Sequence, residues 1–290
     1  MLREAVASVI GQTHTDWELV VVANACADRL DDLEGLDPRI RVLRETRPGV
    51  SRARNLGAAA TQATYLAFLD DDDLCLPDRL GRQVALLEAD STAGICSGGF
   101  QRIDVTGTAF GRKCGALRQY ADILGASFDM LMSTIMIRRH LFNTIGGFDP
   151  ALVTGEDIDF LLRAGQNSRF AFVDATVVYY RQHDNNSGGN PWTSQQDIAP
   201  ILRKHRRWAR RQGRDDLVMA AGSGLRRVRQ INARSAYDAA RQARSEGDYG
   251  RLAKAAVTSL AIDPIVAIDD LAHYAFRAVA SGAPSRRRPV

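Results

Sequence analysis

The sequence predicts an α/β fold with a mainly parallel, Rossmann-type sheet, helices on both faces of that sheet, and a helical C-terminal region. Short β-branched runs, such as the one at 17–22, alternate with helical patterns over the first two thirds of the chain. This alternation is typical of a parallel sheet whose strands are joined by helices. From about residue 193 the pattern is helical throughout. We therefore expect an α/β domain over 1–192, a basic helical region over 193–283 and a disordered tail over 284–290.

Each predicted element rests on the spacing of its apolar residues. Helical spacing predicts helices over 1–12, 51–60, 77–90 and 157–165, and a further helix that ends near residue 146. Ser51 is the expected N-cap of the second of these helices. Apolar or alternating runs predict strands at 17–22, 39–43, 65–69, 93–100, 134–137 and 170–180. Residues 104–125 give no clear pattern.

Composition excludes several classes of protein. Hydrophobic residues make up 45% and charged residues 25% of the 290 residues, which excludes a disordered chain. No apolar stretch approaches the roughly 18 residues needed to span a bilayer. The four cysteines are scattered without a Cys-x-x-Cys pair, so we expect them to be reduced. The first residues lack a basic-then-apolar signal pattern, which predicts a cytoplasmic protein.

The net charge of +4 conceals an asymmetry along the chain. Residues 1–199 hold 19 Lys+Arg against 26 Asp+Glu, a net −7, whereas residues 200–290 hold 19 against 8, a net +11. A basic C-terminal region suits an anionic partner such as phospholipid head groups, nucleic acid or a phosphorylated substrate. Solvated helix faces rich in arginine are an equally good explanation. Of these partners, we favour peripheral contact with the anionic inner face of the membrane.

The most informative stretch is an apolar strand followed by four aspartates, Asp70 to Asp73. Ligands of open α/β sheets bind at the carboxyl ends of the strands. Carboxylates that repel one another there favour a divalent cation such as Mg²⁺ or Mn²⁺. If the segment is extended, Asp70 and Asp72 lie on one side and Asp71 and Asp73 on the other. The alternative is a solvated acidic loop that caps the next helix.

Five motifs, in order, resemble those of family 2 glycosyltransferases of the GT-A fold, and together they cover about residues 3–187. They lie at 4–22, 49–57 (with Ala-Arg-Asn), 65–80 (with the four aspartates), 146–163 (Gly-Gly-Phe-Asp, then Gly-Glu-Asp) and 180–187. The resemblance implies transfer of a sugar from a nucleotide-diphospho-sugar to a hydroxyl acceptor, with inversion and a divalent metal. The acceptor it implies is a cell-surface glycan, a polysaccharide or a lipid-linked sugar.

On the donor side, the resemblance implies that Asp70, Asp72 and His183 hold the metal. It also implies that the nucleotide-sugar is bound by residues of three stretches: Asn24, Arg52, Arg54, Asn55, Asp70 and Asp71. Arginine forks suit phosphates, and a metal stabilises the charge that grows on a departing diphosphate. Arg52 could equally be surface charge, and His183 an ordinary loop histidine.

On the acceptor side, Asp157 matches the base that removes the proton of the attacking hydroxyl. Such general-base catalysis is worth about 10²–10⁴ in rate. Glu156, Arg163 and Trp192 are the other expected acceptor-side residues. The competing explanation for Glu156 and Asp157 is an ordinary acidic helix N-terminus, and Trp192 could equally belong to the core.

Two departures from the family pattern matter. The chain begins inside the first helix, so the family's first strand and its Pro-Thr-x-Asn loop are missing from it. Asn24 occupies the position of a carboxylate that reads the nucleobase. A catalytically inactive relative that binds glycan or a partner is therefore the alternative function. A nucleic-acid-binding protein that uses 203–214 ranks last, because nothing in 1–190 serves that role.

Overall fold

The computed structural model describes residues 1–126, 131–183 and 191–250 and positions 253 and 257; over 191–197 it describes the backbone only. The helices are α1 (Leu2–Ile10), α2 (Val50–Ala59), α3 (Arg79–Ala89), α4 (Tyr120–Leu124), α5 (Arg139–Thr144), α6 (Glu156–Asn167), α7 (Pro191–Arg211) and α8 (Asp215–Ser245). The strands are β1 (Leu19–Asn24), β2 (Ile40–Glu45), β3 (Tyr65–Ala67), β4 (Leu74–Cys75), β5 (Ala93–Ile103), β6 (Ala109–Cys114), β7 (Met136–Arg138) and β8 (Arg169–Arg181). The α/β class and the helical C-terminal region are confirmed.

The described strands form two sheets, and their pairing is mixed. β1 and β2 form a parallel pair of their own, and the second sheet has the order β3-β7-β5-β8-β4 with β6 on β5. In that sheet the long pair of β5 and β8 is parallel, but β3–β7, β5–β7, β5–β6 and β4–β8 are antiparallel. The expectation of a mainly parallel sheet was therefore wrong for the second sheet. The link from β5 to β6 is too short for the crossover that parallel strands need.

Helices cover both faces of the second sheet, as predicted. Successive strand residues point to opposite faces, and the buried pairs Ile95/Cys96 and Ile137/Met136 divide in this way. Ile95 and Ile137 belong to a core that includes residues of α5, α6, α7 and α8. Cys96 and Met136 belong to a second core that includes Leu87 of α3.

The first pair of strands has a small core of its own, built from Val6, Leu33 and Ile40. Gln12, just beyond α1, connects this small core to the start of α3. Its side-chain amide donates to the carbonyl of Leu76 at 2.7 Å and its carbonyl accepts from the Leu80 N–H at 3.0 Å. Gln12 is 5% exposed, so these bonds are made away from water.

The C-terminal helices pack into the same core as the α/β region. Buried residues of this core include Ile201 and Leu202 of α7 and Ala221 and Val228 of α8. α8 approaches α4 closely at Gly224, where an added Cβ would overlap the carbonyl oxygen of Leu124. Within the described part of the chain, no helix combines the length and apolar character needed to cross a membrane. The expected tail at 284–290 lies outside the described residues.

Candidate active site

The four aspartates form a turn between β3 and β4. The N–H of Asp73 donates to the carbonyl of Asp70 at 3.2 Å, so the chain reverses at Asp71 and Asp72. The extended alternation that we expected was therefore wrong, because two-sided alternation requires a strand conformation. In the turn, Asp71 is exposed and Asp73 is fully buried.

Asp73 holds the turn from inside the protein. Ser133 donates its hydroxyl to Asp73 Oδ2 at 2.5 Å, and the Arg181 N–H donates to Asp73 Oδ1 at 3.1 Å. The same Ser133 oxygen accepts the N–H of Asp70 at 3.0 Å. Burial raises the pKa of Asp73 to about 7, although the Ser133 hydrogen bond opposes the shift. The sequence analysis missed the Ser133 and Arg181 contacts, because these residues lie 60 and 108 positions from Asp73 and leave no local pattern.

Asp72 and His183 are in contact, with Asp72 Oδ2 3.0 Å from His183 Nε2. Both side chains are largely buried, at 19% and 15% exposed. Burial raises the pKa of Asp72, the His183 hydrogen bond lowers it, and the charges of Asp70 and Asp71 raise it further. The buried side chain of Arg181 donates to the Asp72 carbonyl at 3.1 Å, which fixes the backbone at this point.

Arg54 of α2 joins the aspartate turn to the start of α6. One end of its guanidinium contacts Asp70 Oδ1 at 2.9 Å and the other contacts Glu156 Oε1 at 3.2 Å. Burial disfavours the charge of Arg54, but the carboxylates of Asp70, Glu156 and Asp157 outweigh burial and raise its pKa. Two acidic stretches 86 residues apart thus share one arginine.

Asp157 and Glu156 open α6 after Gly155, whose φ of +76° lies in the left-handed region. Asp157 Oδ1 accepts the N–H of Ile158 at 2.7 Å. Burial raises the pKa of Asp157, and Arg54 opposes the shift. Burial and the charge of Asp157 together raise the pKa of Glu156. The pair is therefore an acidic helix start, as the competing explanation held, and it also faces Arg54 and Asp70.

Asn55, an expected donor-binding residue, is used within the protein. Its amide donates to the Phe148 carbonyl at 2.8 Å, and its oxygen accepts the Phe148 N–H at 2.9 Å. Phe148 stacks on Phe160 with ring centroids 4.0 Å apart and lies 5.3 Å from the guanidinium of Arg54. Asn55 therefore fixes the position of Phe148, whose ring lies against the guanidinium of Arg54.

Arg163, an expected acceptor-side residue, is a second internal support. Its Nη1 donates to the carbonyls of Ile145 at 2.6 Å and Gly147 at 2.7 Å, and its Nε donates to Asp159 at 2.6 Å. Asp159 is 3% exposed and also pairs with Lys204 of α7 at 3.2 Å. Arg163 therefore holds the loop before α6 in place through the carbonyls of Ile145 and Gly147.

Asn24 and Arg52 lie at the ends of β1 and α2. The Asn24 amide donates to the Arg47 carbonyl at 2.9 Å, and its oxygen accepts the Gly49 N–H at 2.8 Å. Asn24 thus closes the loop between β2 and α2. Arg52 is half-buried beside Gly49, and its side chain makes no hydrogen bond or ion pair with another described residue.

Two further predictions fall on parts that the structure does not describe. The side chain of Trp192 and the loop 184–190, which holds the last part of the fifth motif, lie outside the described residues. Across the described ranges, no three His, Cys, Asp or Glu side chains are grouped so that they could hold a metal ion. Asp72 and His183 are a pair of suitable donors rather than a full ligand set.

Two solved structures of similar fold contain a bound nucleotide-sugar. Staphylococcus aureus TarS residues 1–349 in complex with UDP-GlcNAc is 18% identical with a TM-score of 0.58, over 80% of this chain and 67% of that one. The Pyrobaculum calidifontis mannosyltransferase PcManGT in complex with GDP-Man and Mn²⁺ is 17% identical with a TM-score of 0.57, over 96% and 76%. The fold is therefore that of a GT-A glycosyltransferase.

The chain belongs to glycosyl transferase family 2, whose family model matches residues 1–146. A Haemophilus influenzae glycosyltransferase is 24% identical over 68% of this chain and 70% of its own length. A Rickettsia felis glycosyltransferase is 35% identical over 29% of this chain and only 15% of its own length. Bacillus subtilis TuaG, a glycosyltransferase named for teichuronic acid biosynthesis, is 34% identical over 32% and 38%.

Proposed function

We propose that this protein is an inverting, metal-dependent glycosyltransferase. It moves a sugar from a nucleotide-diphospho-sugar to a hydroxyl of a glycan, a polysaccharide or a lipid-linked acceptor of the cell envelope. The observation that supports this best is the position of Arg54, which contacts Asp70 on one side and Glu156 on the other. Arg54 thus links the expected donor-binding turn to Glu156, the residue next to the expected base Asp157.

Asp72 and His183 are the residues that would hold the metal. A carboxylate oxygen and an imidazole nitrogen suit Mn²⁺, and hard divalent ions commonly take their remaining ligands from water and substrate phosphates. The raised pKa of Asp72 reflects burial and neighbouring negative charge, which a cation would compensate. When bound, the metal would stabilise the negative charge on the departing diphosphate. Arg54 offers a second positive charge near the same group once Asp70 turns to other partners.

Asp157 would act as the general base toward the acceptor hydroxyl. Burial raises its pKa, so the carboxylate holds a proton more strongly than an exposed aspartate does. Arg54 opposes this shift and so favours the ionised carboxylate that a general base needs. Attack by that hydroxyl on the face opposite the diphosphate inverts the anomeric configuration in one step.

The test of this function measures release of nucleoside diphosphate from UDP-GlcNAc or GDP-mannose with Mn²⁺ or Mg²⁺, and again with EDTA. We expect turnover with metal and its loss with EDTA. Asp72→Asn and His183→Gln should raise the metal concentration needed for half-maximal turnover. Asp174→Asn is the matched control, because Asp174 is exposed and pairs only with Arg118 among the described residues. Turnover that persists in EDTA would reject the metal role.

The alternative is a family member without catalysis that binds glycan or a partner. The engagement of Asn24 with the β2–α2 loop favours this alternative, since both ends of its amide already have partners. Calorimetry distinguishes the two functions. Heat of binding with UDP-GlcNAc or GDP-mannose in Mn²⁺ supports the enzyme, and its absence for every nucleotide-sugar supports the binding protein.

A further inference from the structure

The outer surface of α7 carries arginines that no carboxylate among the described residues neutralises. On α7 the exposed Arg203, Arg207, Arg210 and Arg211 make no hydrogen bond or ion pair with another described residue. Surface arginines in folded proteins commonly pair with nearby acids, as Arg214 does with Asp216 here. The charge of this surface is therefore available to an external anion.

Two of the C-terminal arginines converge at one point between the helices. A Cβ placed on Gly222 of α8 would lie 3.8 Å from Nη2 of Arg206, on α7, and 3.9 Å from Nη1 of Arg226, on α8. Because both nitrogens are close to the same point, a single phosphate group could bridge the two guanidinium groups. Gly222 leaves that point open, since it has no side chain.

The two guanidinium groups lack an anionic partner in the described structure. Nε of Arg206 is buried and has no hydrogen-bond partner. Arg226 donates only to the neutral hydroxyl of Ser223, at 3.0 Å. Like charges at close range repel, and a buried donor without a partner is destabilising. A bound oxyanion would remove both penalties at once.

We propose that Arg206 and Arg226, on either side of Gly222, form a binding site for a phosphate oxyanion. The ligand is the phosphate of an anionic phospholipid head group or a free phosphate, which share the chemistry that guanidinium groups recognise. A lipid ligand would place the outer surface of α7 and α8 against the membrane. This site is separate from the cleft at Arg54, and its test does not depend on the proposed transfer activity.

The most direct test of the site is a variant that places a negative charge inside it. Gly222→Glu supplies a carboxylate between the two arginines, and Gly222→Gln is the matched control of nearly equal size without charge. Arg206→Gln and Arg226→Gln remove one guanidinium each. Arg241→Gln removes an exposed arginine farther along α8 and controls for general loss of positive charge. Thermal unfolding of each full-length variant verifies that it is folded.

Two probes distinguish the two ligand sources. One is sedimentation with vesicles of phosphatidylcholine containing 30% phosphatidylglycerol, compared with phosphatidylcholine alone; the other is calorimetric titration with inorganic phosphate. We expect Gly222→Glu to weaken binding about tenfold and each arginine variant about fivefold. Gly222→Gln fills the same point without charge and should weaken binding less than Gly222→Glu does. Arg241→Gln should change binding less than twofold.

Each outcome decides the proposal. Binding to the anionic vesicles with this pattern of variants assigns the site to a lipid head group, and binding to phosphate alone assigns it to a free phosphate. No binding to either probe overturns the proposal. An equal loss in Arg241→Gln and Arg206→Gln also overturns it, because diffuse attraction would then replace a defined site.

Discussion

Among the described residues, Arg54 pairs with both acidic stretches. It is 12% exposed and contacts Asp70 and Glu156 with the two ends of its guanidinium. Without it, the carboxylates of Glu156 and Asp157 would lose the positive charge that opposes the rise of their pKa values. Asn55 and Phe148 hold the surface beneath it. The position of this side chain therefore affects the charge balance of both acidic stretches.

Replacing Arg54 tests this role. We expect Arg54→Met to lower the free energy of unfolding at pH 7 by about 2 kcal/mol, because it leaves partly buried carboxylates without a counter-charge. Arg52→Met is the control on the same helix and should change stability by less than about 0.5 kcal/mol, since Arg52 forms no ion pair with a described residue. Urea unfolding measures both values. Equal losses in the two variants would contradict the account of Arg54.

His205 makes stability depend on pH. Its Nδ1 lies 3.0 Å from the Tyr120 hydroxyl and 2.9 Å from Nε2 of Gln166, and burial lowers its pKa from 6.5 to about 4. Between these pH values the unfolded chain binds a proton that the folded chain does not. The free energy of unfolding therefore falls as the pH drops from 6.5 to 4, by at most about 1.4 kcal/mol per unit.

Urea unfolding between pH 4 and pH 7 measures this dependence. We expect a smaller slope for His205→Gln than for the parent protein. His140→Gln should keep the parent slope, because His140 is exposed on α5. If the free energy of unfolding of His205→Gln changes with pH as steeply as that of the parent protein, other groups cause the pH dependence.

At the scale of elements, the packing of α8 on α4 depends on one glycine. A Cβ at Gly224 would overlap the Leu124 carbonyl, whereas one at Gly222 meets only guanidinium groups at ordinary contact distance. We expect Gly224→Ala to cost about 2 kcal/mol through overpacking. Gly222→Ala should be neutral or stabilise by up to about 1 kcal/mol, because alanine favours helix. Thermal unfolding measures both, and equal effects would contradict the predicted close contact.

The sequence predicted most elements but missed the two-residue strand β4 and the elements between β5 and β7. The helices and strands with regular apolar spacing all appear, with ends shifted by a few residues. β6 and α4 were missed within 104–125. β6 is exposed at every position except Cys114, so its residues show no alternation. The position of such a strand is set by pairing with β5 and leaves no hydrophobic signature.

At the scale of the whole molecule, the sequence singled out stretches that the structure brings into contact, but not the task of each side chain. The aspartate turn, α2 and the start of α6 meet as expected. Asn55 and Arg163 were expected to bind substrates, yet both bond to backbone groups of the loop before α6. The partners of Asn55 lie 93 residues away. Residue type and local spacing cannot distinguish a ligand-binding amide from one that supports a distant loop.

The C-terminal helices are part of the structure that supports the cleft. Lys204 of α7 pairs with Asp159, and Asp159 pairs with Arg163, which holds the loop beneath Arg54. Ile201 of α7 also lies 3.1 Å from the position of a Cβ on Gly155, directly before Glu156. The helical region therefore fixes the start of α6, and the boundary expected at residue 192 stays a prediction.

The most direct test of the central claim separates donor binding from turnover in Asp157→Asn. The claim is that Asp157 removes the acceptor proton in the same cleft in which the aspartate turn binds the donor. Turnover of UDP-GlcNAc or GDP-mannose with Mn²⁺ and donor affinity by calorimetry should be measured on the same samples. The account predicts that turnover falls 10²–10⁴-fold while donor affinity changes less than about threefold. Unchanged turnover, or a loss of affinity that matches the loss of turnover, would contradict it.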